Sequence, residues 1–381
     1  MPTADGPRRP DPLAHLRRPG DPACDAHLTG TVFLDIVFTG LDGAPVRGTE
    51  TWARGMGSCP GGVANMATAL ARLGLRTRLA AAFGDDRYGE YCWETLERDE
   101  GIDLSPSRVL AGWHSPVTVS MAYEGERTMV SHGHLAPLSP TAPTGGRAPD
   151  PARSCVASLA PGEPQEWIAR AAGAGSVVFA DTGWDETGRW DLSSLDGLAH
   201  CAAFLPNAEE AMRYTRTDSP HRAVRALAEH VPLAVVTMGA RGAVAADAGT
   251  GELVEVPALP VTVLDPTGAG DVFMAGFVTG TLAGWPPADR LAFAALTAGL
   301  SVQEFGGSLS APCWDQIAAW RRRTLRAGGA PARYDFLDAL IVDIEPGAGG
   351  GPGDGTRTDG PVPGRPLRRA VPTLGFGDHS H

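Results

Sequence analysis

Strand-like and helix-like stretches alternate along most of this chain, and that alternation narrows the fold more than any other feature. "TGTVFLDIVFTG" (29–40) reads as a strand and "GGVANMATALARLG" (61–74) as a helix with a glycine stop. "TRLAAAFG" reads as a strand and "DRYGEYCWETLERDEG" as a helix ended by Gly101. Apolar residues recur in these segments at the spacing each element requires. "SVVFAD", "CAAFLP" and "LAVVTMG" follow as strands, "NAEEAMRY" and "HRAVRALAEH" as helices, and "GAVAAD" with "ELVEVP" as a short hairpin. "VPALPVTVL" reads as one more strand, and two glycine-rich helices lie around 270–283 and 287–304. This order implies an α/β fold, with a mostly parallel central sheet and helices on both faces.

Two segments break the rhythm. Residues 41–58 form an irregular excursion, and "SPVTVSMAYEGERTMVSH" (115–132) reads as two strands joined by the Glu-Gly-Glu turn at 124–126. Together, about 41–58 and 113–132 are expected to form a small β lid that keeps water from a site beneath. "SPTAPTGGRAPDPARSCVASLAPGEP" (139–164) reads as a loose surface excursion. The Pro- and Arg-rich residues 1–26 and the Gly/Pro-rich residues 341–381 cannot bury enough apolar surface to order, so one folded domain over 27–340 is expected between disordered tails.

A chain of 381 residues, 43% hydrophobic and 20% charged, suits a globular enzyme. Its formal net charge of −12 argues against nucleic acid as a partner. All 32 basic residues are arginine, so a Walker-type phosphate loop and Schiff-base chemistry, which both need lysine, are excluded. The six cysteines show no C-x-x-C pair and read as reduced, buried thiols. No apolar run is long enough to span a membrane, and the N-terminus has no signal-peptide core, so a cytoplasmic location is expected.

"DPTGAGD" (265–271) lies between a strand pattern and a helix pattern. The amides of Gly268, Ala269 and Gly270 would open the helix unpaired, with the positive end of its dipole behind them, which makes an anion site. Asp271 falls in the first turn, where a carboxylate beside a phosphate repels it unless it has a task. Accepting the proton of an attacking hydroxyl is such a task. The same heptapeptide would also serve as a plain helix start.

Gly61 and Gly62 precede a helix that carries Asn65 in its first turn, which suits close approach of a polyol or a tight strand-to-helix turn equally. Asp35 on the 29–40 strand is placed to accept from sugar hydroxyls at the carboxyl end of a parallel strand, or to be an edge carboxylate. "PNAEEA" puts Asn207 at a helix N-cap with Glu210 three residues on, a capping-box spacing. "TMGARG" places Gly239 and Gly242 after a strand, where a hairpin turn is the simple explanation.

In this order, Gly61-Gly62 with Asn65, Asn207-x-x-Glu210, Thr237-x-Gly239-x-x-Gly242 and Asp265-Pro-Thr267-Gly268-Ala269-Gly270-Asp271 resemble the ribokinase-like (PfkB) family of carbohydrate kinases over about 28–325. The resemblance implies a three-layer α/β/α fold with a small β lid and ATP-dependent phosphorylation of a hydroxyl of a monosaccharide or sugar acid. It makes Asp271 the general base and the Gly268–Gly270 amides the anion hole. Asp35, Gly61, Gly62 and Asn65 would hold the sugar, and Asn207, Glu210, Thr237, Gly239, Gly242 and Thr267 would face ATP. Mg²⁺ would travel with the nucleotide near Asn207 and Glu210. Many family members also hold K⁺ through carbonyls, here at Asp265, Ser301, Gly306 and Ser310. Arg241 is a candidate for a missing cation, and homodimers through the lid are common in the family.

The chain departs from ribokinases proper at Val63-Ala64 and at Phe33, which argues against ribose. Asp181, in the unusual "ADTGWDETGRW", is placed near the active site, and Arg127 lies on the lid. A nucleoside kinase on the same scaffold would need an aromatic slot, which Trp113, Tyr123 or Trp184 could supply. A non-catalytic sugar- or nucleotide-binding regulator is the alternative from another class. No G-x-G-x-x-G follows the first strand, so a nicotinamide-dependent oxidoreductase is a poor match.

Overall fold

The computed structural model describes residues 11–123, 126–134, 136, 150–163, 165–304, 306–329, 331–342 and 344. The chain begins with β1 (Cys24–Thr29), β2 (Val32–Thr39), β3 (Gly55–Gly62), α1 (Val63–Arg72), β4 (Thr77–Ala80), β5 (Ala82–Gly84) and α2 (Arg87–Glu94). It continues through β6 (Arg108–Leu110), β7 (Val117–Tyr123), β8 (Glu126–His132), β9 (Ala152–Leu159), α3 (Glu166–Gly173), β10 (Val177–Thr182) and β11 (Ala203–Phe204). Then come α4 (Ala208–Thr215), α5 (Pro220–Leu227), β12 (Leu233–Thr237), β13 (Ala243–Asp247) and β14 (Leu253–Val256). The helices α6 (Ala269–Leu282), α7 (Pro287–Ser301), α8 (Trp314–Arg326) and α9 (Asp338–Ile341) complete it.

The central sheet has the order β14-β13-β12-β11-β10-β9-β1-β4. Its neighbours are parallel from β4 to β12, and β13 and β14 add an antiparallel edge. Side chains alternate between two apolar clusters, as strands covered on both faces require. Val178 and Ala180 of β10 and Val236 of β12 pack with residues of α3, α4 and α5. Phe179 and Val235, one position away, pack with α1, α6 and α7. The protein is therefore the expected three-layer α/β/α sandwich.

The expected lid exists as a separate four-stranded sheet, ordered β3-β2-β7-β8. β2 runs antiparallel to β3 and parallel to β7, and β7 pairs with β8 as a hairpin. Gly125 and Glu124 of the expected turn lie outside the described residues. A short parallel pair, β5 with β6, stands beside it.

Four expectations change. The apolar run 29–40 is not the first strand of the central sheet; its core, β2, belongs to the lid sheet. The central strand is β1, which sequence hides because it buries Asp25 and His27. Asp25 is held by Arg17, eight residues before it, and by Arg76 and Arg153 from distant segments. His27 has no hydrogen-bond partner among the described residues, and burial pushes its pKa down to about 4. The fold accordingly begins before residue 27: Leu13 is buried and β1 starts at Cys24. Residues 1–10 lie outside the description, as do those beyond Ile344, which is buried together with Ile341.

Within the supposed surface excursion, β9 occupies the middle of the sheet between β1 and β10. Small residues flanked by Pro and Gly gave it a loop's composition; residues 139–149 are outside the description. The strand expected from "VPALPVTVL" (256–264) does not form: β14, the "ELVEVP" strand, ends at Val256. Pro257 and Pro260 cannot donate to a ladder, and Val263 and Leu264 beyond them are exposed.

Candidate active site

The glycine-rich loop opens α6, a helix buried continuously from Val272 to Gly280. Gly268 is its N-cap with φ 75°, the left-handed region, and no side chain caps the helix. A β-carbon at 268 would make only ordinary contacts, 3.4 Å from Cγ of Asn65 and 3.5 Å from the backbone of Gly307, so it is the left-handed φ and not lack of space that calls for glycine here. The buried carboxylate of Asp265 accepts from the Thr267 amide at 2.9 Å and from the Gly306 amide at 3.2 Å. One side chain thereby ties the loop to the turn at 306–310. The Ala269 amide turns back to the Pro266 carbonyl at 3.2 Å. Of the expected trio of amides, Ala269 is thus engaged in the turn itself, and those of Gly268 and Gly270 flank it at the helix start.

Asp271 is half-buried in the first turn of α6. Asn65 Nδ2 donates to its Oδ2 at 3.1 Å, joining the first turns of α1 and α6 across 206 positions of sequence. That hydrogen bond fixes the orientation of the carboxylate.

The double glycine joins β3 to α1. A β-carbon on Gly61 would stand 1.9 Å from Oδ2 of Asp35, so the Asp35 carboxylate lies directly against this backbone. Gly62 has φ 62°, and a β-carbon there would come within 2.4 Å of the Thr31 carbonyl. Asp35 sits in the lid strand β2, opposite Cys59 of β3, rather than at the carboxyl end of a central strand. It reaches the neighbourhood of α1 because β2 and β3 form one antiparallel pair.

Beside these residues is a cavity of about 740 Å³ with Asp271 in its wall, together with Gly62, Phe33, Met66, Trp113 and Asp181. Asp35, Gly61 and Asn65 are outside that lining, Asn65 standing behind Asp271. Tyr123 and Trp184 are also outside it. The Tyr123 hydroxyl pairs with Thr128 on the hairpin at 2.8 Å, and Trp184 packs edge-on against Trp190 beneath the Arg213 guanidinium. His132 and His134, which no motif marked, are exposed and belong to the same lining.

On the other side, Asn207 caps α4 in a complete capping box: its side chain accepts from the Glu210 amide at 3.0 Å, and Glu210 accepts from the Asn207 amide at 2.9 Å. Thr237, at the end of β12, bridges to Asn207 and donates its amide to Pro206. Gly239 and Gly242 both have positive φ, in the short turn to β13 that also carries the exposed Arg241. The Arg127 side chain is outside the description.

Glu210 is buried, and burial pushes its pKa up to about 7, with Asp181 adding repulsion. Burial likewise raises Asp181 to about 6, and its Oδ1 has no hydrogen-bond partner. Two carboxyls that repel each other, one with an orphaned oxygen, are a donor set that suits Mg²⁺, which uses one or two carboxylates plus substrate phosphates. Among the described residues no cluster of three His, Cys, Asp or Glu side chains forms a self-sufficient metal cage.

Of the residues assigned to K⁺, Asp265 and Gly306 are joined directly, and the Ser310 hydroxyl donates to the neighbouring Gly307 carbonyl at 2.7 Å. Ser301 lies at the end of α7, its hydroxyl on the Ala298 carbonyl.

Comparison with known proteins agrees with this geometry. The pfkB family carbohydrate kinase model matches residues 36–142 and 154–314. A nucleoside kinase of Methanothermobacter thermautotrophicus is 30% identical over 300 residues, covering 76% of this chain and 93% of the relative. A Klebsiella pneumoniae fructokinase is 32% identical over 271 residues, covering 66% and 85%. Among solved structures, Arabidopsis thaliana ribokinase complexed with ribose and ATP superposes with a TM-score of 0.61 at 22% identity, over 84% of this chain and 99% of that one. With the glycine-rich loop, its aspartate and the β lid placed together, the chain belongs to the pfkB family of carbohydrate kinases and is an ATP-dependent kinase.

Proposed function

We propose that this kinase transfers the γ-phosphoryl group of ATP to a hydroxyl of an uncharged sugar or sugar-bearing acceptor held in the 740 Å³ cavity. The observation that carries the reading is Asp271: a carboxylate oriented by Asn65, in the wall of a cavity, beside the N-terminus of a buried helix. It accepts the hydroxyl proton as the oxygen–phosphorus bond forms and the bond to the departing ADP breaks. The Gly268 and Gly270 amides and the α6 dipole stabilise the charge on the transferring group. Asp35, with Gly61 and Gly62, bounds the acceptor side. Asn207, Thr237, Gly239, Gly242 and Thr267 bound the nucleotide side.

Asp181 and Glu210 would hold Mg²⁺, whose charge neutralises the nucleotide phosphates. The carbonyls near Asp265, Gly306 and Ser310 would hold K⁺. The described cavity lining includes no arginine, and its carboxyls are Glu163, Asp181 and Asp271, which favours a neutral acceptor over a sugar acid or sugar phosphate. β8 edges the lid sheet and exposes Met129 and Val130, a surface suited to a second copy.

The test is ADP release from Mg·ATP across sugars, sugar phosphates, sugar acids and nucleosides, with and without K⁺. Strong stimulation by a neutral acceptor is expected. Stimulation confined to an anionic acceptor would overturn the charge argument, and an Asp271→Asn protein with normal turnover would remove Asp271 from the mechanism.

A further inference from the structure

β3 is an edge strand of the lid sheet, and every second residue along it turns its carbonyl away from β2. Pro60 is one of these residues. It lies opposite Leu34, whose amide points the other way, to the Pro116 carbonyl ahead of β7. Proline has no N–H to leave unpaired at such an edge, but its carbonyl is buried and needs a donor. Ser308 supplies it: its hydroxyl donates to the Pro60 carbonyl at 2.5 Å, across 248 positions of sequence. The Ser58 carbonyl, two residues earlier on the same edge, accepts from the Tyr91 hydroxyl of α2 at 2.9 Å.

The two contacts lead to different places. Tyr91 ties the lid strand to α2. Ser308 belongs to the turn at 306–310, whose Gly306 amide is held by the same Asp265 carboxylate that holds the Thr267 amide of the glycine-rich loop. Gly307 in that turn has φ 41°, and a β-carbon on it would stand 3.0 Å from Asn65 Oδ1, 3.5 Å from Thr267 Cγ2 and 3.6 Å from Cys59 Sγ. The lid strand that runs into Gly61, the helix that carries Asn65 and the loop that leads to Asp271 thus meet on one turn. Ser308 itself is fully buried and lies outside the cavity lining, so it reaches the reaction only through its neighbours.

We propose that Ser308 is a positioning residue for phosphoryl transfer. Its hydrogen bond to Pro60 holds the Gly61–Gly62 backbone, and the Asp35 carboxylate lying against it, in register with Asp271 and the start of α6. Transfer requires the acceptor oxygen to stand in line with the phosphorus, and a displacement of about 1 Å made far from the chemistry costs on the order of a hundredfold in rate. A hydroxyl shared between the lid strand and the turn behind the loop keeps that alignment without entering the site. This rests on the kinase reading above for the roles of Asp35 and Asp271, and on the hydrogen bonds for the link between them.

The experiment compares three variants with the native protein and with Asp271→Asn. Ser308→Ala removes the donor, Ser308→Cys keeps a similar volume with a weaker donor, and Tyr91→Phe removes the other contact on the same edge. Hydrogen exchange of the full chain reads the link with no acceptor present. Ser308→Ala should speed exchange in both 57–66 and 265–272, whereas Tyr91→Phe should speed it in 57–66 only. ADP release from Mg·ATP with D-fructose, D-ribose or adenosine, using whichever turns over fastest, reads the consequence. The kcat of Ser308→Ala should fall about ten- to a hundredfold, more than the acceptor KM rises, with the ATP KM within about twofold of native. Ser308→Cys should fall between Ser308→Ala and native, and Tyr91→Phe should stay close to native. Faster exchange confined to 57–66 in Ser308→Ala, or an equal loss of kcat in Tyr91→Phe, would reduce the bond to general anchoring of the lid and overturn the proposal. Exchange altered in both segments with native kcat would make the bond structural only and overturn it as well, as would a rise in acceptor KM alone. Native turnover in Asp271→Asn would instead overturn the kinase reading, whatever the Ser308 variants do.

Discussion

Arg72 and Glu100 form a two-pronged ion pair inside the protein, with Nε to Oε2 at 3.0 Å and Nη2 to Oε1 at 2.8 Å. Both side chains are buried, and the remaining arm of Arg72 donates to the Leu309 and Ala311 carbonyls at 2.8 and 2.9 Å. Arg72 ends the helix that begins beside Asn65, so α1 connects the orienting group of Asp271 to the turn at 306–311. Removing one partner leaves an uncompensated buried charge. Glu100→Gln should therefore cost about 3–5 kcal/mol of stability. Chemical denaturation checks this, and a loss below 1 kcal/mol would mean that the pair is hydrated in solution.

Asp271→Asn retains the shape of the site and removes the proton acceptor. Turnover should fall roughly a hundred- to ten-thousand-fold while ATP affinity is retained. Asn65→Asp should also impair turnover, because it sets a second carboxylate against the first. Stopped-assay kinetics with nucleotide binding measured separately distinguish these outcomes from unfolding.

Gly61 leaves no room for a side chain beside Asp35. Gly61→Ala should destabilise the protein by about 1–3 kcal/mol, as overpacking does, and should raise the acceptor KM. Adding Asp35→Ala should recover part of the stability but not the KM. Non-additive melting temperatures in this double-mutant cycle would bear the contact out, and additive ones would show that the two residues do not meet.

Asp181 and Glu210 predict an unusual pH dependence. Their folded-state pKa values, about 6 and about 7, lie above the ordinary carboxyl value near 4. Between those limits the unfolded chain releases its protons first, so the metal-free protein should lose stability as pH rises from about 4 to 7, then level off. Glu210→Gln should flatten the profile, and Mg²⁺ with ATP should raise the melting temperature most above pH 7. Melting curves at fixed ionic strength read both effects; a profile equally steep in Glu210→Gln would place the titration elsewhere.

Much of the site was legible because its parts are local. The helix start at the glycine-rich loop, the carboxylate in its first turn at 271 and the Asn207/Glu210 capping box are fixed by neighbouring residues and formed where the pattern placed them, whereas the left-handed φ of Gly268 appeared only in the structure. The antiparallel edge β13–β14 followed from a short turn in the same way. The strands β1 and β9 were not legible. One hides charged and titratable residues whose compensation comes from Arg17, Arg76 and Arg153, and the other has the composition of a loop. The apolar β2 looked like the centre of the main sheet, yet pairing with β3 and β7 put it in the lid.

The sequence by itself determined the α/β alternation, the glycine-rich loop with its aspartate at a helix start, and the absence of lysine chemistry, since each is a property of adjacent residues and backbone conformation. Tertiary structure alone decided which strands share a sheet, that Asn65 reaches Asp271, that Asp181 and Glu210 repel each other, and that Trp113 shares a cavity with the imidazoles of the lid. Those relations depend on distance in space and on burial, and residues far apart along the chain acquire both only when the sheets and helices pack.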